Sequence, residues 1–371
     1  MKFYFIAGEP SGDLHGSNLL KQLKAQHPEV ELRGWGGDLM QAEGMHVVKH
    51  ISSLAFMGFT EVVLNLPTIL SNFKLCKYDI MAYKPDAVVL IDYPGFNLRM
   101  AEYCKQRGIK VFYYISPQVW AWKKNRVHKI KKYVDEMFVI LPFEKDFYKH
   151  YDYDVYYVGH PLIDAVKQFK ELPEATLKLR TDKPIIALLP GSRKQEIAAI
   201  LPLMLKVTSK YLDYQIVVAG APNKDRNFYQ TYLKDYPKVD VVFGQTYALL
   251  SKASAALVTS GTATLETALF NVPQVVCYKG SNISYRIAKK LVDIKYISLV
   301  NLILDKEAVK ELIQDDFNEA LLTVELDSVL PKGNQREAIL YNYQSLKNKL
   351  GDGGASEKVA RLMLKTLQQA V

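Results

Sequence analysis

Ala87-Val88-Val89-Leu90-Ile91 is apolar at every position and ends against Asp92. A strand with one face in water alternates apolar and polar residues. A run that is apolar throughout belongs in a parallel sheet covered on both faces. Such runs recur at residues 3–7, 87–92, 110–115, 137–141 and 155–158, then at 185–189, 215–219, 240–243, 255–259 and 274–277. Segments with helical apolar spacing separate them, among them 13–26, 97–107, 195–211 and 262–270. The expected fold class is therefore α/β, with two doubly wound, Rossmann-like domains facing each other across a cleft.

The 371 residues suffice for two cores. A break falls after Gly159-His160-Pro161, where residues 167–184 are polar and read as a linker or a surface helix. The expected division is 1–166, 167–345 and a closing helical segment 346–371. Past residue 305 only helices are expected, and no internal repeat is present.

Composition removes whole classes. Half-hydrophobic content with 23% charged residues excludes a disordered chain. Cys76, Cys104 and Cys277 are odd in number and far apart, which argues for a reduced, cytosolic protein without disulfides or a metal-type cysteine pair. The N-terminal apolar run is too short for a targeting segment. No stretch reaches the ~18 apolar residues of a membrane span; the nearest, 62–73, contains Asn65, Pro67 and Asn72. The net charge of +9 fits nucleic acid, an anionic membrane or an acidic substrate equally well.

In open parallel sheets ligands bind beyond the carboxyl ends of the strands, so residues just after each run matter most. Ala7-Gly8-Glu9-Pro10-Ser11-Gly12-Asp13 follows the first and lacks the G-x-G-x-x-G dinucleotide pattern. Ser11 or Asp13 could cap the next helix. Leu189-Pro190-Gly191-Ser192-Arg193 is a candidate diphosphate cradle: backbone N–H groups meet the anion and the guanidinium neutralises it. It has no Walker lysine, so ATP hydrolysis is not indicated. Thr259-Ser260-Gly261-Thr262-Ala263-Thr264-Leu265-Glu266 offers a second anion-binding helix start, with Glu266 placed to accept hydrogen bonds from a ribose diol. Together these two turns describe a nucleotide-diphosphate-sugar site. Asp92 closes its strand and suits a general base toward an incoming hydroxyl; a helix N-cap is the other use, which Asn97 could also fill.

Smaller signals remain. His160 lies at the domain crossing, where a ligand contact competes with a structural hydrogen bond. Trp120 and Trp122 suit sugar or acyl contact or an aromatic core. Residues 123–132 hold six basic side chains and no acid, either a phosphate or membrane-binding face or a solvated helix. Residues 54–73 form a lipid-contacting patch or a buried helix.

These motifs, taken in order with Met57-Gly58-Phe59-Thr60-Glu61-Val62, Ile91-Asp92-Tyr93-Pro94-Gly95-Phe96-Asn97, Ser116-Pro117-Gln118-Val119-Trp120-Ala121-Trp122, Leu141-Pro142-Phe143-Glu144 and Ser298-Leu299-Val300-Asn301-Leu302, span nearly the whole chain. The series resembles the lipid-A-disaccharide synthases. The resemblance implies a GT-B fold and an inverting, metal-free hexosyltransferase without cofactor. It would join UDP-2,3-diacylglucosamine to 2,3-diacylglucosamine 1-phosphate (lipid X), giving the β(1→6) disaccharide 1-phosphate and UDP. It also implies a Gram-negative, cytoplasmic enzyme, peripheral at the inner face of the inner membrane and compatible with a homodimer.

By that resemblance the second domain binds the UDP-sugar through Gly191, Ser192, Arg193, Ser260, Gly261, Thr262, Glu266 and Asn301. The first domain faces the membrane and the acceptor, with Asp92 catalytic and Glu9, Ser11, Gly12, Asp13 and His160 along the acceptor side. The segment 346–371 would cross back to the first domain. Many relatives carry an acid at Gly95, so that position receives no role.

Other classes compete with this reading. They are another UDP-sugar enzyme (a UDP-N-acetylglucosamine 2-epimerase or a peptidoglycan glycosyltransferase), a non-catalytic two-domain binding protein, and a nucleic-acid binder, which no recognised module supports. Residues 1–165 hold 20 Lys/Arg and 18 Asp/Glu, net +2, and the remainder 28 and 21, net +7. That distribution suits a diphosphate donor, a phosphorylated lipid and an anionic surface better than nucleic acid.

Overall fold

The computed structural model describes residues 1–54, 66–173, 177, 182–281, 285 and 294–369. The motif at 57–62, residues 55–65 of the apolar segment 54–73, and residues 174–176 and 178–181 of the polar stretch 167–184 lie outside the described residues. The chain divides into two compact units, Met1–Pro161 with Asp352–Val371, and Leu162–Gly351.

The first unit holds β1 (Lys2–Ala7), β2 (Glu31–Gly36), β3 (His46–His50), β4 (Ala87–Ile91), β5 (Lys110–Tyr114), β6 (Glu136–Val139) and β7 (Tyr156–Tyr157). All pairings are parallel, in the order β3-β2-β1-β4-β5-β6-β7. β1 shows why the runs are apolar throughout. Tyr4 and Ile6 enter the core on one face, while Phe3, Phe5 and Ala7 enter the core on the other. The second of these cores includes Val359, Ala360, Met363 and Leu364 of the C-terminal helix Ala355–Gln368. That helix lies along the helix Pro10–Gln26, and Gln26 donates to the Glu357 carbonyl at 3.2 Å.

The second unit holds β8 (Ile185–Leu189), β9 (Gln215–Gly220), β10 (Asp240–Phe243), β11 (Ala253–Thr259), β12 (Gln274–Tyr278) and β13 (Lys310–Ile313). They are again all parallel, in the order β10-β9-β8-β11-β12-β13. In each sheet the strand order reverses once, between β1 and β4 and between β8 and β11. Connections leave such a pair in opposite directions, which opens a crevice beyond its carboxyl ends. The turns singled out above follow these four strands.

Three strands were not expected. β13 overturns the expectation of helices alone after residue 305. β3 and β13 are edge strands with polar residues interleaved, and β2 carries Arg33, so none reads as an apolar run. Arg33 is accommodated by a bidentate pair with Asp79, Nη2 donating to Oδ1 at 2.7 Å and Nε to Oδ2 at 3.1 Å. Part of the polar stretch is helical, since Pro161–Glu171 forms one helix.

Candidate functional site

In the first unit, Pro10 begins its helix directly after Gly8 and Glu9, its fixed φ suiting the first turn. Glu9 and Ser11 are exposed. Gly8 has no room for a side chain, because a Cβ would lie 2.4 Å from Cγ of Tyr93. Asp13 and Ser11 do not cap this helix, which already contains them. Asp13 is instead buried and caps the neighbouring helix Asp38–Ala42. Its Oδ1 accepts from the N–H groups of Gly37 (2.7 Å) and Met40 (3.1 Å), and Oδ2 from that of Leu39 (3.1 Å). Three backbone donors thus engage this carboxylate in holding the two helices together.

At the end of β4 the chain makes two successive left-handed residues, Asp92 (φ 44°) and Tyr93 (φ 48°). Each costs about 1–2 kcal/mol for a residue with a Cβ. The surroundings hold the turn. The buried Asn97 amide donates to the carbonyls of Asp92 (2.7 Å), Ile91 (3.2 Å) and Ile6 (3.3 Å). The Tyr113 hydroxyl donates to the Asp92 carbonyl at 2.6 Å, and the Asp92 N–H to Tyr114 O at 3.1 Å. Neither Asp92 nor Asn97 is a helix cap: Tyr93 occupies that position, without a side-chain cap bond. The half-buried Asp92 carboxyl is thus presented at the switch point. Burial first, then the Glu9 charge, push its pKa up to about 6.

His160 is buried, and its imidazole is pushed down to about 3 by burial and then by His15. His15, on the helix Pro10–Gln26, is lowered to about 4 by burial. Sequence reasoning passed over His15. Trp120 is buried edge-on to Phe143 at 4.9 Å, whereas Trp122 is 40% exposed. Lys123 and Arg126 lie over the Trp122 ring at 4.5 and 5.4 Å. The helix Arg126–Tyr133 buries Val127 and Ile130 and turns its basic residues outward.

In the second unit a cavity of about 360 Å³ gathers Gly191, Ser192, Arg193, Ser260, Gly261, Thr262 and Glu266 beyond β8 and β11. Gly191 has φ +104°, and a Cβ there would meet Glu196 Oε2 at 2.4 Å. That carboxylate accepts from the N–H groups of Ser192 (3.3 Å) and Arg193 (3.4 Å) in a capping box. The expected cradle of free backbone donors is therefore corrected: Glu196 occupies two of them. The Arg193 side chain is 71% exposed and is the cationic group the turn presents. Across the cavity, Gly261 (φ +137°) precedes the helix Thr262–Leu269, and the Ser260 hydroxyl donates to Ile297 O at 2.8 Å.

Asn301 does not join this group. It is fully buried, with every amide valence filled: Nδ2 donates to Val309 O (2.8 Å) and Glu311 Oε1 (2.9 Å), and Oδ1 accepts from the N–H groups of Ala308 and Val309. It braces the chain before β13. The cavity adds Glu196, Thr246 and the turn Gly220-Ala221-Pro222. That turn follows β9 and was accessible to the same strand-end rule. A separate cavity of about 500 Å³ at the amino ends of β8 and β9 contains none of the candidate residues.

A family model described as lipid-A-disaccharide synthetase matches residues 3–363. The chain belongs to that family. A lipid-A-disaccharide synthase from Syntrophus aciditrophicus is 40% identical, covering 98% of this chain and 97% of the relative. One from Coxiella burnetii (strain Dugway 5J108-111) is 38% identical over 96% of each. Among solved structures, a UDP-GlcNAc 2-epimerase from Neisseria meningitidis bound to UDP-GlcNAc aligns with TM-score 0.65 at 15% identity, covering 98% of this chain and 100% of that one. The glycosyltransferase of kitacinnamycin aligns with TM-score 0.68 at 11% identity, covering 99% of each. At such identities the likeness shows the fold alone, the GT-B arrangement of two Rossmann-like domains. The lipid-A-disaccharide synthases are glycosyltransferases, and so this chain is a hexosyltransferase.

Proposed function

We propose that the chain joins UDP-2,3-diacylglucosamine to lipid X by a single inverting displacement, giving the β(1→6) disaccharide 1-phosphate and UDP. Its place in lipid A disaccharide synthesis follows from the family. The residue roles rest chiefly on one observation: seven candidate donor residues, from two strand-end turns 67 or more positions apart, line one cavity. Arg193 and the helix start at Gly261-Thr262 hold the diphosphate, and Glu266 accepts from the ribose diol. Asp92 takes the proton of the acceptor 6-hydroxyl as its oxygen bonds to the anomeric carbon. The bond from that carbon to phosphate oxygen breaks, and its electron pair leaves with UDP. Arg193 meets the charge that develops there. Glu9, whose charge acts on Asp92, Ser11 and Gly12 serve the acceptor side.

Mass spectrometry after incubation with diacylated UDP-glucosamine and lipid X tests the activity. The disaccharide 1-phosphate is the expected product. Its absence, with C2 epimerisation of UDP-N-acetylglucosamine in its place, would replace this reading by the epimerase one.

No helix among the described residues is long and apolar enough to cross a membrane. Contact with the lipid acceptor's membrane is assigned to the basic helix Arg126–Tyr133 and the exposed Trp122. Each Lys or Arg near an anionic surface contributes about 1 kcal/mol. Replacing Lys123, Lys124, Arg126 and Lys129 by Gln should abolish sedimentation with anionic vesicles. Undiminished sedimentation of the variant would rule this face out.

A further inference from the structure

Glu266 lies in the second turn of the helix Thr262–Leu269, half-buried and open to the cavity. Burial raises its pKa, so the charged form needs a hydrogen-bond donor to remain the useful one. The Tyr247 hydroxyl supplies it, 3.0 Å from Oε1. Tyr247 belongs to the helix Thr246–Lys252, whose first residue lines the cavity, whereas Tyr247 itself lies behind the carboxylate. Burial, then the Glu266 charge, hold its phenol protonated far above the ordinary range, so it is a donor at any working pH.

The ring is clamped as well. It packs edge-on to Phe169 at 5.6 Å and against Phe270 at 5.2 Å, and those two rings meet edge-on at 5.7 Å. Phe270 stands four residues after Glu266 and ends the same helix, so it lies one turn along the same face. Tyr247 therefore grips this helix twice, by its ring at Phe270 and by its hydroxyl at Glu266. A carboxylate offers about four lone-pair positions. With one taken at Oε1, both oxygens keep capacity for the two hydroxyls of a diol.

We infer that Tyr247 is a positioning residue, one that fixes the Glu266 carboxylate in the orientation that reads the 2′- and 3′-hydroxyls of the nucleotide donor. This rests on the assignment of Glu266 to the ribose. A carboxylate free to rotate loses the simultaneous contact with two hydroxyls, whereas contacts to diphosphate and base are unaffected. The role is therefore selective for the diol.

Calorimetric titration with UDP and with 2′,3′-dideoxy-UDP, on the wild-type chain, Tyr247→Phe and Glu266→Gln, tests it. Tyr247→Phe keeps the three-ring packing and removes the hydroxyl. It should weaken UDP about tenfold, the scale of a charge-assisted hydrogen bond, and leave dideoxy-UDP unchanged. In turnover it should raise the donor KM more than it lowers kcat. The ratio of the two affinities is measured within each protein and does not depend on the folded fraction. If Tyr247→Phe keeps the wild-type ratio while Glu266→Gln loses it, the positioning role is overturned and the Glu266 assignment stands. Equal weakening of both ligands by Tyr247→Phe marks a purely structural residue and also overturns it. If Glu266→Gln keeps the wild-type ratio, the ribose assignment itself fails and the role of Tyr247 falls with it.

Discussion

Asp92→Asn is expected to lower kcat by roughly 10²–10⁴-fold, the usual contribution of a positioned general base, while the UDP dissociation constant stays at its wild-type value. The change is isosteric and leaves the backbone carbonyl of residue 92, which Asn97 and Tyr113 hold, untouched. The left-handed turn should therefore survive, and the loss be chemical. Near-normal turnover, or a parallel loss of UDP affinity, would remove Asp92 from the base role.

The pH profile sharpens the test. A base must be deprotonated to act, and the Asp92 pKa stands at about 6, raised first by burial and then by the Glu9 charge. Activity should accordingly fall as pH drops through about 6. Glu9→Gln removes a negative charge that disfavours the Asp92 anion, so the acid limb should move to lower pH. An acid limb that stays in place in this variant would mean that another group titrates.

Arg193→Ala should raise the UDP dissociation constant by about 10- to 100-fold, corresponding to the roughly 1.5–3 kcal/mol of hydrogen bonds to a charged group. The guanidinium is 71% exposed and stands 4.0 Å from Glu196. In the free protein that contact is a weak surface pair, so removing it should cost little stability. Direct titration with UDP separates the effects: lower affinity at an unchanged melting temperature is expected, and unchanged affinity would contradict the diphosphate assignment. Glu196 occupies the backbone donors beside Arg193, which makes the side chain the main source of positive charge at that turn.

Much of this architecture was legible in the chain. Runs such as Ala87–Ile91 must be buried on both faces, and that requirement selects parallel sheets covered by helices. The strand-end rule then located Asp92 and the turns at Gly191 and Gly261. It was less informative where a strand is only half covered: β3 and β13 lie at sheet edges, keep polar residues and carry no apolar run. Hydrogen-bond partnership was not legible at all. Asp13, Asn97 and Asn301 are the same kind of residue, small and polar beside a turn. One caps a helix 25 positions onward, one braces the left-handed turn at Asp92 and one ties down the entry to β13.

What the sequence by itself determined is the fold class, the two-fold repetition of sheets and which turns at strand ends hold the candidate residues. Burial pattern and turn chemistry are local, and the order of residues carries them directly. The tertiary structure alone decided which polar groups remain available for chemistry. That depends on strand order, which brings Asn97 to the Ile6 carbonyl 91 positions away and leaves the Asp92 carboxyl out of the cap of the helix Pro94–Lys105. It also depends on side-chain packing, which sets the Tyr247 hydroxyl behind Glu266 and fills every valence of Asn301. A polar side chain can serve a ligand only where the fold has not already satisfied it.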